Sequence, residues 1–258
     1  MSEQADNEYL RLASADNFRD VAGTGYATAD GGRMRTGVFF RSNDLRLTDV
    51  DLDALHGIGL NTIIDLRSAT EIALHPDPEV PGVENLHFDA IGIPIERLSN
   101  LTSHDEAVAL MDEVYRGFVV EEHCRTAFGD VLRQLATGGP QLFHCSQGKD
   151  RTGWVAALLL HIAGVDDPTI ESDYLLTNAR SAASRARVEA EIAKHGGPEL
   201  VAVYEPTLVV DVEYLDAAWA AAEELYGDRA SYLRDGLGLD DSVLERLREL
   251  LRQPTSVE

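Results

Sequence analysis

The ten residues from His144 to Gly153, His-Cys-Ser-Gln-Gly-Lys-Asp-Arg-Thr-Gly, could do chemistry as a unit. Cys145 stands six places before Arg151, with Gly148 between them. An apolar, strand-like run (Gln141 to Phe143) precedes the stretch, and a helix-like run (Trp154 to Ala163) follows it. A strand feeding a tight loop feeding a helix turns backbone N–H groups into a concave nest, with the positive end of the helix dipole behind it. A phosphate dianion fits such a nest. Ser146, Gln147, Gly148, Lys149, Asp150, Arg151 and Thr152 would line it, with Cys145 at the floor. The same field favours a thiolate, which can attack phosphorus. The planar fork of Arg151 suits two phosphate oxygens, and its charge does not titrate. Gly148 lets the backbone pass close to the ligand. Thr152 is expected to donate its hydroxyl to the sulfur. The path implied is a phosphocysteine that water then hydrolyses, with no metal and no cofactor.

The Cys–Arg spacing alone is weak. His144, Gly148, Thr152 and Gly153, in a strand-to-helix context, make the signal specific. A nucleotide-binding loop is excluded, because it needs Ser or Thr after Gly-Lys and Asp150 follows Lys149. Two other readings of a thiolate loop stay open at this point: a noncatalytic module that binds phospho-ligands, and a sulfurtransferase.

A protonating group is also needed. Asp150 can serve as general acid beside the phosphate, or as a carboxylate that holds the loop. No Trp-Pro-Asp acid loop occurs, since the tryptophans are Trp154 and Trp219. Asp89 and Glu96 are the reserve candidates. His144 is expected to hydrogen-bond the loop and steady the thiolate rather than act as a base. Asp65 and Arg67 close a predicted strand, where an α/β sheet places ligands. Asp65 either orients Arg151 or is an ordinary strand-end polar residue. Arg41 and Arg46 either enlarge a local positive pocket or lie on the surface. Lys149 either faces solvent at the rim or reaches a second phosphate. Cys124 is a packing cysteine or a resolving thiol for oxidised Cys145. Asp166-Asp167-Pro168 reads as an acidic helix start.

The elements that would position these residues alternate early. Strands are expected at 39–41, 61–66, 86–91 and from 141. Thr48 caps a helix through His56, and Ser68 with Glu71 forms a capping-box pattern. Ser103 with Glu106 opens another, with helical periodicity reaching Thr137 with interruptions. Helices follow the motif near 153–163, 168–178, 179–194, 211–226 and 240–252. This is an α/β chain whose central sheet is flanked by helices. A single domain over 9–252 is expected, with tails at 1–8 and 253–258.

The chain has 258 residues and a formal charge of −23. That balance disfavours nucleic acid and anionic membranes as partners. An anionic substrate therefore needs a local positive pocket. Only Lys149 and Lys194 are lysines. Two cysteines make no disulfide framework, no apolar run is long enough for membrane insertion, and no signal peptide is read. A cytoplasmic setting, or secretion without a recognisable signal, is expected. The sequence does not set the oligomeric state.

The chain resembles the bacterial cysteine-dependent tyrosine and lipid phosphatases. The loop matches through Lys-Asp-Arg-Thr-Gly. So do Asn17-Phe18-Arg19-Asp20 with Gly23, Phe40-Arg41-Ser42, Ile64-Asp65-Leu66-Arg67-Ser68, and Asp173-Tyr174-Leu175-Leu176-Thr177-Asn178. The resemblance implies a cysteine-phosphatase fold and a phosphorylated protein or phosphoinositide as substrate. It also implies a second-phosphate contact for Lys149 and a helical lid insertion near 178–230. Without it, Val188, Ile192, Leu215, Trp219 and Ala222 read as ordinary core-facing positions.

Overall fold

The computed structural model describes residues 12–91, 97 and 100–253. The expected 1–8 tail lies outside them, as do Glu96 and residues 254–258.

Five short strands build the sheet: β1 (Arg19–Asp20), β2 (Phe39–Ser42), β3 (Thr62–Asp65), β4 (Glu84–His87) and β5 (Gln141–His144). Their order is β1-β2-β5-β3-β4, parallel except for the antiparallel edge strand β1. Alternation divides the side chains between two cores. Phe39, Ile64 and Phe143 face the larger core, while Phe40, Ile63 and Leu142 join Leu12, Phe18 and Leu55 on the other face. Strand β5 is buried throughout and lies between β2 and β3, so its last residue, His144, sits opposite Ser42 and Asp65. Cys145 therefore leaves the carboxyl edge of the sheet at its centre, where open α/β sheets bind ligands.

On the smaller-core side lies α1 (Asp49–Gly57), whose Thr48–Asp51 capping box is complete. Helix α2 (Ala69–Leu74) opens with the Ser68–Glu71 box. The long periodicity after Ser103 is two helices, α3 (His104–Val120) and α4 (Glu122–Leu135), broken at the extended Glu121. Ser103 caps α3, but Glu106 turns back to Thr102 rather than to Ser103. Strand β4 starts earlier than its apolar residues suggest, because its pairing with β3 is set by backbone register from Glu84.

Helix α5 (Asp150–Ala163) starts within the loop motif and is buried on nearly all sides, as its apolar run requires. Helix α6 (Asp167–Arg180) starts as expected, with Asp166 accepting from the Thr169 N–H. The helix expected over 179–194 continues to residue 208 as α7 (Ala182–Leu208). It bends at Gly197, whose φ of 77° is left-handed, and Pro198 then fits the first turn of the second half. The region expected to form the helical lid insertion thus comprises α7, α8 (Val212–Tyr226) and the short α9 (Arg229–Ser231), followed by a π-helical turn at Tyr232–Gly236 and by α10 (Asp241–Leu251). Its two long helices differ in packing. Leu215, Trp219 and Ala222 of α8 are core residues, whereas in α7 only Pro206 and Leu208 are buried and Val188 is exposed. No helix among the described residues is long and apolar enough to cross a membrane.

Candidate active site

Cys145 lies buried at the base of a cavity of about 300 Å³. Arg151, Glu71, Lys149 and Asp150 give the cavity its polar edge, and Met111, Val114, Phe118 and Leu208 give it an apolar wall. Ser146 and Gln147 complete the loop side, and Gln147 is exposed.

The loop is held from behind at Gly148. Its φ of +63° is left-handed, and a Cβ there would come within 2.3 Å of the Ser42 carbonyl oxygen. Only glycine fits that approach. The Gly148 carbonyl accepts from Asn17 Nδ2 at 2.8 Å and Arg41 Nη2 at 2.9 Å. Arg41 is fully buried, which corrects its surface reading, and it pairs with Asp173 at 3.2 Å. Arg19 joins the same carboxylate at 3.3 Å and also reaches Thr177. Burial opposes the charge on Asp173, but the two arginines hold its carboxyl below the usual range. Burial and the neighbouring Arg19 push Arg41 down to about 9. Two guanidiniums against one carboxylate leave positive charge behind the loop. The Asn17–Asp20, Phe40–Ser42 and Asp173–Asn178 segments are thus the loop's buttress. Arg46, by contrast, is exposed and pairs with Asp44.

Arg151 is oriented by Glu71, not by Asp65. Its Nη1 and Nη2 each donate to a Glu71 carboxylate oxygen at 2.8 Å, and Nη1 also reaches the Leu66 carbonyl. Asp65 is already engaged by Arg67, whose Nε and Nη2 reach its two oxygens at 2.9 and 2.8 Å. The register of β3 and β5 puts Asp65 beside His144, while α2 carries Glu71 to the arginine. Glu71 also accepts from the Ser146 hydroxyl at 2.5 Å and from the Ser68 N–H and hydroxyl. Burial raises its carboxyl, but the bonds and charge of Arg151, with Ser146, bring it down to about 2. Burial likewise works against the Arg151 charge, yet Cys145 and Glu71 hold its guanidinium above the usual range.

Lys149 neither faces solvent nor points into open space for a second phosphate. It is buried, and its Nζ donates to the carbonyls of Thr207 at 2.6 Å and Val209 at 3.2 Å, with Asp150 at 3.3 Å. A lysine on the last carbonyls of a helix complements that helix end. It ties the end of α7 to the loop and brings Leu208 over the cavity.

Asp150 accepts from Tyr115 at 2.8 Å, and the Tyr115 and Tyr174 hydroxyls lie 2.5 Å apart. While Asp150 is ionised, the single Tyr115 proton goes to the carboxylate, so Tyr174 donates to Tyr115. We expect Tyr115→Phe to lower stability by about 1–2 kcal/mol, because Tyr174 loses its acceptor and Asp150 a donor. Urea denaturation compared with wild type checks this.

The remaining expected site residues fall elsewhere. The Thr152 hydroxyl is buried without a hydrogen-bond partner among the described residues, so the expected bond to sulfur is not formed. Asp89 is exposed, accepts from the Ile91 N–H and borders a different depression. Cys124 is buried in the main core, and burial pushes its thiol up to about 12, which suits a packing role. Residue types and spacing alone do not place Glu71, Tyr115 or Asn17 at the site. Glu71 was visible only as a helix cap, and nothing in sequence marks Tyr115.

A sequence model of the tyrosine phosphatase family matches residues 10–253. The chain is 34% identical over 276 residues to the triple specificity protein phosphatase PtpB of Mycobacterium tuberculosis, covering 93% of this chain and 98% of that one. It is 31% identical over 223 residues to a tyrosine-protein phosphatase of Nostoc commune, covering 83% and 74%. Among solved structures, TpbA of P. aeruginosa matches with 16% identity and a TM-score of 0.33, covering 87% of this chain and 95% of that one.

Proposed function

The chain belongs to the tyrosine phosphatase family, and from that premise we propose how its residues divide the hydrolysis of a phosphomonoester. It is a cysteine-dependent phosphoric monoester hydrolase, so the binding-module and sulfur-transfer readings fall away. The phosphate dianion seats in the loop from Ser146 to Thr152. Cys145 attacks phosphorus in line; the S–P bond forms as the P–O bond to the leaving group breaks. Asp150 gives its proton to the departing oxygen. Water then attacks phosphorus, the P–S bond breaks, and Asp150 takes the proton back. Arg151 holds the equatorial oxygens through both steps, with Glu71 fixing its plane.

The observation that carries this reading is the constellation at the cavity floor: Cys145 under a loop whose clamp, Arg151, is already oriented by a bidentate carboxylate. The apolar wall of Met111, Val114, Phe118 and Leu208 favours an aryl phosphate, hence phosphotyrosine. The name triple specificity for PtpB supports wider tolerance, and we extend that to phosphoserine, phosphothreonine and phosphoinositides for this chain. The bonds of Lys149 to Thr207 and Val209 speak for a structural part rather than a headgroup contact.

Four measurements test the reading. Turnover of para-nitrophenyl phosphate should persist in chelator, and acid quenching should trap a phosphoenzyme on Cys145. A phosphotyrosyl peptide should outcompete a phosphoinositide, and Lys149→Ala should depress both turnovers alike. Selective loss of phosphoinositide turnover would give the lysine to the headgroup instead.

A further inference from the structure

A second cavity, of about 290 Å³, lies beside the catalytic one. The two share Ser146, Gln147 and Leu208, so the loop edge at Ser146 and Gln147 is the ridge between them. A substrate whose phosphate sits over Cys145 can reach across that ridge while staying on the protein. The hydrolysis derived above makes no use of the second cavity. Its walls come from the segment before β1, the turn after β2 and the start of α7. Three of its lining residues are arginines: Arg46, Arg185 and Arg187.

Each arginine has a carboxylate within reach, but none is gripped as Arg151 is by Glu71. Arg46 offers Nε to Asp44 at 3.1 Å, and its two Nη groups make no hydrogen bond among the described residues. Arg187 meets Asp16 through Nη2 at 3.4 Å, and its Nε donates to the Ala183 carbonyl. Asp16 is engaged as well by the Ser184 N–H at 3.0 Å. Arg185 lies 3.4 Å from Glu189 through Nε, with Nη1 3.5 Å from the Asn178 carbonyl. The side chains of Arg46 and Arg187 are 63% and 75% exposed. Exposed pairs held by one prong are weak and exchange readily. A carboxylate that arrives on a ligand can take the open prongs, and the planar fork suits it. The neighbouring cavity says what carries that carboxylate. Its apolar wall favours an aryl phosphate, so the chain flanking a phosphotyrosine is what runs over the ridge, where Gln147 is exposed. The formal charge of −23 disfavours an anionic membrane, which makes a peptide the better fit.

We propose that the second cavity is a subsite for an acidic side chain next to the phosphotyrosine of a protein substrate, with Arg46, Arg185 and Arg187 as its cationic wall. This rests on the phosphatase reading of the loop. The subsite works against the field of the whole chain: a charge of −23 repels an acidic peptide, and the local guanidiniums draw it in.

The test is a scan of phosphotyrosyl peptides with glutamate or glutamine at each position near the phosphotyrosine. At one position or more, glutamate should beat glutamine by about tenfold in kcat/KM, and the advantage should shrink as salt is raised. The double variant Arg46→Gln, Arg187→Gln should lose most of that advantage. Its turnover of para-nitrophenyl phosphate, which is too small to cross the ridge, should match wild type. No glutamate advantage in the wild type, or one that the variant keeps, overturns the proposal. So does a variant that spares the acidic peptides and loses turnover of a short-chain phosphoinositide, which would give the arginines to a head group. Should the double variant fail to fold, Arg46→Gln alone decides, because that side chain is exposed and pairs only with Asp44 among the described residues. The subsite and the phosphatase reading fail separately. Affinity of a Cys145→Ser protein for the glutamate and glutamine peptides reads the subsite without turnover, whereas wild-type protein inert toward para-nitrophenyl phosphate sinks only the hydrolysis.

Discussion

Cys145→Ser is expected to abolish turnover, by at least about 10⁴-fold, while phosphotyrosyl peptide binding stays within a few-fold of wild type. The exchange swaps a thiol for a hydroxyl of similar size. It leaves untouched the Gly148 carbonyl anchored by Asn17 and Arg41, and the Arg151 clamp anchored by Glu71. The binding nest therefore persists. What disappears is the thiol proposed to attack phosphorus and later to leave it. Steady-state hydrolysis and peptide titration on one preparation check the two halves. Activity near the wild-type level would remove Cys145 from the chemistry. Loss of binding together with turnover would mean that the sulfur holds the loop in shape.

Glu71→Gln carries the second large effect. Glu71 joins three things: the start of α2 through Ser68, the loop through Ser146, and the clamp through Arg151. Glutamine keeps the length but points an amide N–H₂ at a guanidinium. Removing one partner of a largely buried pair costs about 3 kcal/mol, and a misplaced clamp costs about 10²-fold in kcat/KM. The pH dependence separates charge from shape. The folded protein holds Glu71 at about 2, below an ordinary 4.5. A carboxyl depressed by folding contributes fully above its unfolded value, and the contribution fades as pH falls. The stability gap between wild type and Glu71→Gln should thus be widest at neutral pH and should close between about 4.5 and 2. Urea denaturation across that range measures it. A gap that stays constant would assign the loss to shape alone.

The sequence was a good guide to what is local. The loop from His144 to Gly153, the strand before it and the helix after it fall where composition puts them, because each follows from short-range patterning. The caps at Thr48, Ser68 and Asp166 were legible for the same reason. Pairings across the sheet were not. Asp65 and Glu71 are both acidic and near Arg151 along the fold, and only the register of β3 against β5 decides that Asp65 meets Arg67 while Glu71 takes the clamp. Lys149 shows the same limit. A lysine in a phosphate loop suggests an anion, yet its partners are carbonyls 58 and 60 residues away, at the end of α7. Tyr115 reaches Asp150 from α3 across 35 residues, and no spacing rule announces that contact.

The tether at Gly148 has a kinetic consequence. The groups that hold its carbonyl come from Asn17 and Arg41, 131 and 107 residues earlier in the chain, and Arg41 is itself fixed by Asp173, 132 residues further on. Contacts so distant in sequence carry a large loop-closure cost and tend to form late in folding. Helices α3 and α4 can gather locally, but the cradle around Cys145 closes only when the segment holding Asn17 and Arg41 has met the one holding Gly148 and Asp173. An emerging or half-folded polypeptide is therefore expected to carry Cys145 before its cradle has been assembled.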